Sequence, residues 1–407
     1  MNEPIFIARQ DTLEQEILPA HWLAQYKLFG EESYTFQDKG IWKKLCMSSA
    51  AANDRDIHAE ALEEMLTTFS AEHTGKWMLL VYGTNAAALE GLATMAAIAA
   101  NGTAMGAIVD NALLMHAIAN SETAMQRIAN SQTAMQRVAN NRGAMDAIGR
   151  SRIARDAVQA SPYYNSCIKE NDMAIAKLAV ALANLESAGY SGMAGVAADS
   201  TAMTAVAASS VARNAISASP YYDEKIKEND MAIAKLVVGF ANLASANYSS
   251  MAGVVADATA MTAVAASGVA LKAIAQAYKN TANMLQFLKA VNASDTLIKR
   301  IYNTLTNATA LFGASQLGAQ DGVADANSWA TTSAAPNAFL ACACGYYNSG
   351  GANVDVTYNG TAIAQNKTGT RQPGSVTSTN VNAITMAPST FTENGDGWLA
   401  VQKFTVK

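Results

Sequence analysis

Methionine recurs every ten residues along the middle of the chain, at Met95, Met105, Met115, Met125, Met135 and Met145. Three residues after each comes a branched apolar residue: Ile98, Ile108, Ile118, Ile128, Val138 and Ile148. Alanine and polar residues fill the rest, as in SETAMQRIAN and SQTAMQRVAN. In an unbroken α-helix ten residues turn through about 1000°, about 80° short of three full turns. A stripe with this period would wander round the helix instead of lining one face. The pattern therefore predicts one short helix and one break per decad.

The residues at the breaks support this. Ser121, Ser131 and Ser151 suit helix N-caps, because a hydroxyl accepts a bond from an orphan backbone N–H. Good helix formers (Ala, Met, Gln, Arg) follow. Asn120, Asn130 and Asn140 stand where each helix must end, and asparagine tolerates the left-handed backbone of a C-terminal cap. Ser161-Pro162 and Ser219-Pro220 read as helix starts, with proline at the first helical position. A helix of about eight residues is unstable alone. The decads thus predict a solenoid in which each Met/Ile/Ala face stacks on its neighbours. A β-solenoid would need β-branched and aromatic residues at these positions, and a coiled coil would need sustained heptads.

Residues 161–218 and 219–276 are tandem copies with a period of 58; SPYYNSCIKENDMAIAKLAVALANL in the first matches SPYYDEKIKENDMAIAKLVVGFANL in the second. Each copy interrupts the decads with one longer helix, capped by Asn171/Asp172 or Asn229/Asp230. In the first copy Ile175, Leu178, Leu182 and Leu185 form its apolar stripe, and Gly189 is its expected end. Ser294, Ile298 and Ile301 still hold the decad register, as a closing unit would.

The two ends differ from this middle. Residues 1–83 carry His21, His58, His73, Trp22, Trp42 and Trp77. A helix is predicted over His58–Phe69, and the apolar run Trp77–Tyr82 is a buried strand or helix. In residues 317–407 Val354, Val356 and Tyr358 alternate up to Asn359-Gly360, the dipeptide favoured in a two-residue type I′ hairpin turn. AFLACACGYY, NAITM and WLAVQKFTV read as further strands. The expected architecture is multidomain and mainly α, with a C-terminal all-β module. It comprises a small α-rich N-terminal domain (1–83), a short-helix decad-repeat solenoid (84–316) and a β-sandwich or jelly-roll tip (317–407).

Composition narrows the function. Charged residues make up 15% of the chain, against about a quarter in an average globular protein. Net charge is −5, and no basic stripe is present, so a nucleic-acid partner is not expected. The four cysteines, Cys46, Cys167, Cys342 and Cys344, do not make a disulfide framework. The N-terminus lacks a basic region followed by an apolar stretch, so no signal peptide is expected. Gly91–Val109 is uncharged, but it is rich in Ala and Gly and in register with the polar decads, so no membrane span is expected either.

Chemistry-bearing motifs are sparse. The sequence holds no HExxH, P-loop or GxSxG and no Cys/His pair at zinc spacing, so no catalytic, cofactor-binding or metal-binding residue is assigned. Glu170/Asp172 and Glu228/Asp230 are paired acids at helix starts, where the dipole favours negative charge. The pairs Tyr163/Tyr164 and Tyr221/Tyr222 read as packing aromatics at a unit boundary. In the C-terminal module Tyr346, Tyr347 and Trp398 are the candidate receptor contacts, since their rings could stack on sugars.

Runs such as NSETAMQRIANSQTAMQRVANN resemble repeats in tail-fibre and appendage proteins of tailed bacteriophages. The C-terminal run through NGTAIAQNKTGTRQPGS to ENGDGWLAVQKF is similar to the β-tips of such proteins. The resemblance spans about residues 95–407 and implies a non-catalytic virion structural protein without a cofactor. Residues 1–83 would dock on other virion proteins, and residues 317–407 would meet a host receptor, a glycan or a neighbouring subunit. A homo-oligomer located in the virion is expected. The alternatives are a bacterial surface adhesin, disfavoured by the missing signal peptide, and a particle-borne polysaccharide depolymerase, disfavoured by the lack of clustered carboxylates.

Overall fold

The computed structural model describes residues 55–67, 74–75, 78–79, 87–277, 281–321, 327–330, 338–346, 353–369, 375–387, 389–394 and 397–407. The expectations for His21, Trp22, Trp42, Cys46, His73, Trp77 and most of the Trp77–Tyr82 run lie outside these residues. The described chain is mainly helical, with a C-terminal all-β part. It divides into two compact units, residues 1–193 and 194–407.

In the first unit every decad is one short helix: Met95–Ala100, Gly102–Val109, Ala112–Asn120, Glu122–Ala129, Gln132–Ala139, Arg142–Arg150 and Arg152–Ala160. Ser121, Ser131 and Ser151 are the N-caps expected of them, each accepting from the N–H three residues on. Asn101, Asn111 and Asn141 cap their helices in the same way. The chain bends sharply between Gly102–Val109 and Ala112–Asn120, by 103°. Each helix consequently packs on the one three positions further along. Gly102–Val109 meets Gln132–Ala139, Ala112–Asn120 meets Arg142–Arg150, and Glu122–Ala129 meets Arg152–Ala160. The methionine and isoleucine positions fill the space enclosed, and Met105, Met125, Met135, Ile108, Ile128 and Val138 have no exposed surface.

Successive rounds of three helices are fastened by hydroxyls. Ser131 Oγ donates to the Ala99 carbonyl at 2.6 Å, Ser151 Oγ to Ala119 at 2.5 Å and Ser161 Oγ to Ala129 at 2.5 Å. In Ser131 and Ser151 the same oxygen accepts the capping bond of its own helix. One small side chain thus satisfies two backbone groups that have no partner within a helix.

The expected left-handed caps do not occur at the decad ends. Asn120 remains within its helix, while Asn130 and Asn140 have φ of −91° and −89°. The break is too short for a left-handed residue: the next residue is already the extended N-cap of the following helix, its N–H bonded three residues back, as from Ser131 to the Ile128 carbonyl. Left-handed asparagine appears instead after the longer helices, Asp172–Leu182 and Asp230–Phe240, at Asn184 (φ 59°) and Asn242 (φ 57°). There Leu185 N–H reaches the Val180 carbonyl and Leu243 N–H the Val238 carbonyl, closing a Schellman-type end. The first of these helices therefore ends well before Gly189. The two Ser-Pro starts also differ from expectation, since Tyr164–Lys169 and Tyr222–Ile226 are π-helical turns. Ile168 nonetheless keeps the eighth position of its decad and is fully buried, so the apolar column is unbroken.

The helix expected near His58–Phe69 is Arg55–Thr67, which packs on Ala112–Asn120 and Glu122–Ala129. Its Glu63 carboxylate accepts from Ser121 Oγ at 2.5 Å, from Thr123 Oγ1 at 2.5 Å and from Thr123 N–H at 3.1 Å. A carboxylate is favoured there because the start of the Glu122–Ala129 helix carries partial positive charge.

The second unit continues the same packing. Ser200–Ala208 meets Asp230–Phe240, which meets Gly268–Gln276, and Ala258–Ala266 meets Asp295–Asn307. Among the described residues eight strands follow: β1 Phe312–Asp321, β2 Asn327–Ala330, β3 Ala338–Tyr346, β4 Asn353–Tyr358, β5 Thr361–Thr368, β6 Ala383–Met386, β7 Ser389–Asn394 and β8 Gly397–Val406. They form two antiparallel sheets, ordered β1-β8-β3-β6 and β2-β7-β4-β5. Asn359 (φ 47°) and Gly360 (φ 76°) make the predicted tight turn between β4 and β5. Cys342 and Cys344 lie buried on β3 and Cys167 is buried as well, none of the three in a disulfide.

The expected boundary at residue 317 does not separate helices from strands. β1 begins at Phe312, and the last two helices, Thr281–Asn292 and Asp295–Asn307, pack directly on the sheets. Buried Asn292 binds Ile384 of β6 through both amide atoms, donating to its carbonyl at 2.7 Å and accepting from its N–H at 3.0 Å. Tyr302 donates to the Val376 carbonyl at 2.8 Å, and its ring meets Phe404 edge-on. Among the described residues no single helix is long and apolar enough to cross a membrane.

Three outcomes follow. Ser151→Ala strands the Ala154 N–H and the Ala119 carbonyl, so stability should fall by about 2 kcal/mol, measured by urea unfolding. Inserting a second copy of residues 121–150 after Arg150 adds one round in register and should leave the melting temperature within a few degrees. A five-residue insertion after Asn130 should lower stability by more than about 3 kcal/mol, the scale of truncating one buried Met.

Candidate functional site

Each 58-residue copy buries a lysine in its longer helix, Lys177 at 0% and Lys235 at 1% exposure. Lys177 Nζ donates to Asp146 Oδ1 at 2.5 Å and to the Ser187 carbonyl at 3.0 Å. Lys235 Nζ donates to Thr204 Oγ1 at 2.8 Å and to the Ser245 and Ala246 carbonyls at 3.1 Å each. Positions 146 and 204 are equivalent in the repeat, yet one is a carboxylate and the other a hydroxyl. A buried charge requires such partners. Burial holds the Lys235 ammonium below the usual lysine pKa. Each lysine ties down the loop that follows its helix. The only sequence signal for this pair was a cation kept inside the apolar run AIAKL of both copies.

The open polar surface of the second unit lies along Asp295–Asn307. This helix turns Ile298, Ile301, Tyr302 and Leu305 inward. Thr296, Lys299, Arg300, Asn303, Thr304 and Asn307 line an open groove of about 660 Å³ together with Ala266, Gly268 and Ala308. Lys299 also borders a second cleft of about 300 Å³ toward Asn366, Lys367, Thr379 and Asn382. Lys367 Nζ pairs with Asp295 Oδ1 at 3.3 Å. Among the described residues the side chains of Lys299, Arg300, Asn303 and Asn307 have no hydrogen-bond or ion-pair partner in the protein. The facing wall is fixed: Asn382 donates to the Thr368 carbonyl and accepts from Cys344 N–H, and Asn380 accepts from Thr377 N–H. Sequence reading passed over this groove because its cations are solitary in the chain and its walls come from distant segments.

The candidate receptor contacts are not gathered here. Trp398 is fully buried on β8, paired with Gly345 of β3, so no receptor can reach its ring. Its apolar surface went to the core, which is the commoner fate of a large aromatic on a strand. Tyr346 ends β3, with its side chain outside the described residues, and Tyr347 lies outside them altogether.

The paired acids act as caps, but not on their own helices. Asn171 and Asn229 cap those. Asp172 accepts from Met193 N–H at 2.7 Å, and Asp230 accepts from Met251 N–H at 2.8 Å, each 21 residues on. The tyrosine pairs pack: Tyr222 is buried beneath the Lys227 ammonium, and Lys169 lies over Tyr164. Among the described residues no three His, Cys, Asp or Glu side chains are grouped to hold a metal. The sequence matches no family model and no curated protein.

The lysine pair gives a pH test. The folded pKa of Lys235 is depressed, so between that value and the unfolded value of about 10.4 the unfolded chain binds more protons. Stability should therefore rise with pH in that window. Thr204→Asp supplies the carboxylate present at Asp146, so it should stabilise the protein at pH 7 and flatten the rise. Urea midpoints at pH 7 and 10 measure both; a lower midpoint for Thr204→Asp at pH 7 would contradict the account.

Proposed function

We propose that the chain is a non-catalytic structural protein of a tailed-bacteriophage particle, of fibre or appendage type. In this reading the short helices form a solenoid spacer, and the two β-sheets form a sandwich or jelly-roll tip. Residues 1–83 dock on other virion proteins. Residues 317–407 contact the host surface or a neighbouring subunit, and the chain acts as a homo-oligomer in the virion.

One observation supports this above the others. The same serine fastens each round to the one before, from Ser131 to Ala99, Ser151 to Ala119 and Ser161 to Ala129. Such a unit extends by addition, with each round contacting only its neighbours. A spacer whose reach is set by repeat number requires this property. The resemblance of the decads to phage appendage repeats supplies the particle context, which is an argument by analogy.

Antibody raised to the full chain should label an appendage on intact particles from a lysed culture. Native mass spectrometry of the purified protein should give a multiple of 42.6 kDa. Label confined to the surface of uninfected cells, or a monomer at micromolar concentration, would sink the reading.

A further inference from the structure

We propose that the groove along Asp295–Asn307 binds an acidic saccharide, a sugar chain carrying carboxylate or sulfate groups. The inference stands on the groove itself and survives if the chain belongs to no virus particle.

Residues 296, 299, 300, 303 and 307 fall at helical spacing on one face, a stripe about 16 Å long. Among the described residues nothing in the protein answers the polar atoms of Lys299, Arg300, Asn303 and Asn307. Several asparagines of the repeat serve as helix caps, as at Asn111, Asn141, Asn171 and Asn229.

The charge is equally uneven. The residues lining the groove and the adjoining cleft include Lys299, Arg300 and Lys367 but a single carboxylate, Asp295, which Lys367 already answers. Two cations are left over in a chain whose net charge is −5. Arginine offers a planar fork that matches a carboxylate or sulfate, and lysine offers a point charge beside it. The asparagine amides and the Thr296 hydroxyl both donate and accept, as sugar hydroxyls require. Gly268 packs closely on the end of the Asp295–Asn307 helix, where a Cβ would come within 2.9 Å of Ala308 Cβ.

Other polyanions fit less well. A nucleic acid needs more phosphate contacts and aromatic faces for its bases, and neither lines the groove. An acidic peptide draws affinity from apolar or aromatic anchors seated in pockets, and this floor offers only alanine and glycine.

The test is calorimetric titration of the full-length protein with two probes, a hexasaccharide of alternating glucuronate and N-acetylglucosamine and a sulfated hexasaccharide. At least one should bind, and binding should weaken severalfold between 50 and 300 mM salt, approximate conditions chosen to vary screening. Maltohexaose, which is neutral, should not bind. The double variant Lys299→Ala/Arg300→Ala should lose tenfold or more in affinity with an unchanged circular dichroism spectrum, and Asn303→Ala should lose less. The inference is overturned if neither probe binds or if the double variant binds as tightly as the parent. It is also overturned if polyglutamate or inorganic sulfate binds as well as the hexasaccharides. Appendage labelling with no saccharide binding would leave the structural role standing and remove only the groove's.

Discussion

The serine hydroxyl at the start of a decad answers to two backbones at once. It accepts from the first free N–H of its own helix and donates to a carbonyl left over at a helix end 32 residues earlier. Short helices make this device necessary. A helix of eight residues leaves half of its N–H and C=O groups at its ends, without partners inside the helix. Buried ends without partners would each cost about 1–3 kcal/mol. At Ser131, Ser151 and Ser161 the repeat meets that demand with one oxygen and leaves the space inside to Met, Ile and Ala.

The rest of the fold elaborates on that constraint. Where a helix lengthens to Asp172–Leu182 or Asp230–Phe240, the one-residue break no longer suffices. An asparagine takes the left-handed backbone, and a buried lysine collects the carbonyls of the loop beyond. Where the helices give way to strands, Asn292 and Tyr302 perform the same service between helix and sheet. Polar side chains inside this protein are mostly fasteners between backbones.

Much of this was legible in the sequence because it is local. The mismatch between ten residues and the helical period forces a break in every decad, and Ser121, Ser131 and Ser151 mark where it falls. Asn359-Gly360 requires positive φ at two successive residues, so its turn could be read directly. Contacts between distant residues could not. Nothing in a decad says that its partner lies three helices away, since that follows from bends such as the 103° between Gly102–Val109 and Ala112–Asn120. The carboxylates of Asp172 and Asp230 looked like caps for the helices they begin, and only the packing shows them reaching others. Trp398 illustrates the same limit: alternation along β8 cannot say which face of the strand meets the core.

The direction of the serine bonds has a consequence for how the protein comes to be made. Ser131, Ser151 and Ser161 all reach back toward the N-terminus, and Lys177 finds Asp146 in the same direction, 31 residues earlier. A chain leaving the ribosome emerges N-terminus first, at about 5–20 residues per second. The acceptor for each new fastener is therefore already outside when its donor appears. Rounds can close one after another within seconds of synthesis, over loops short enough to form quickly. Near-identical neighbours in tandem invite mispairing; serines that reach back to helices already emerged give later copies little chance to compete.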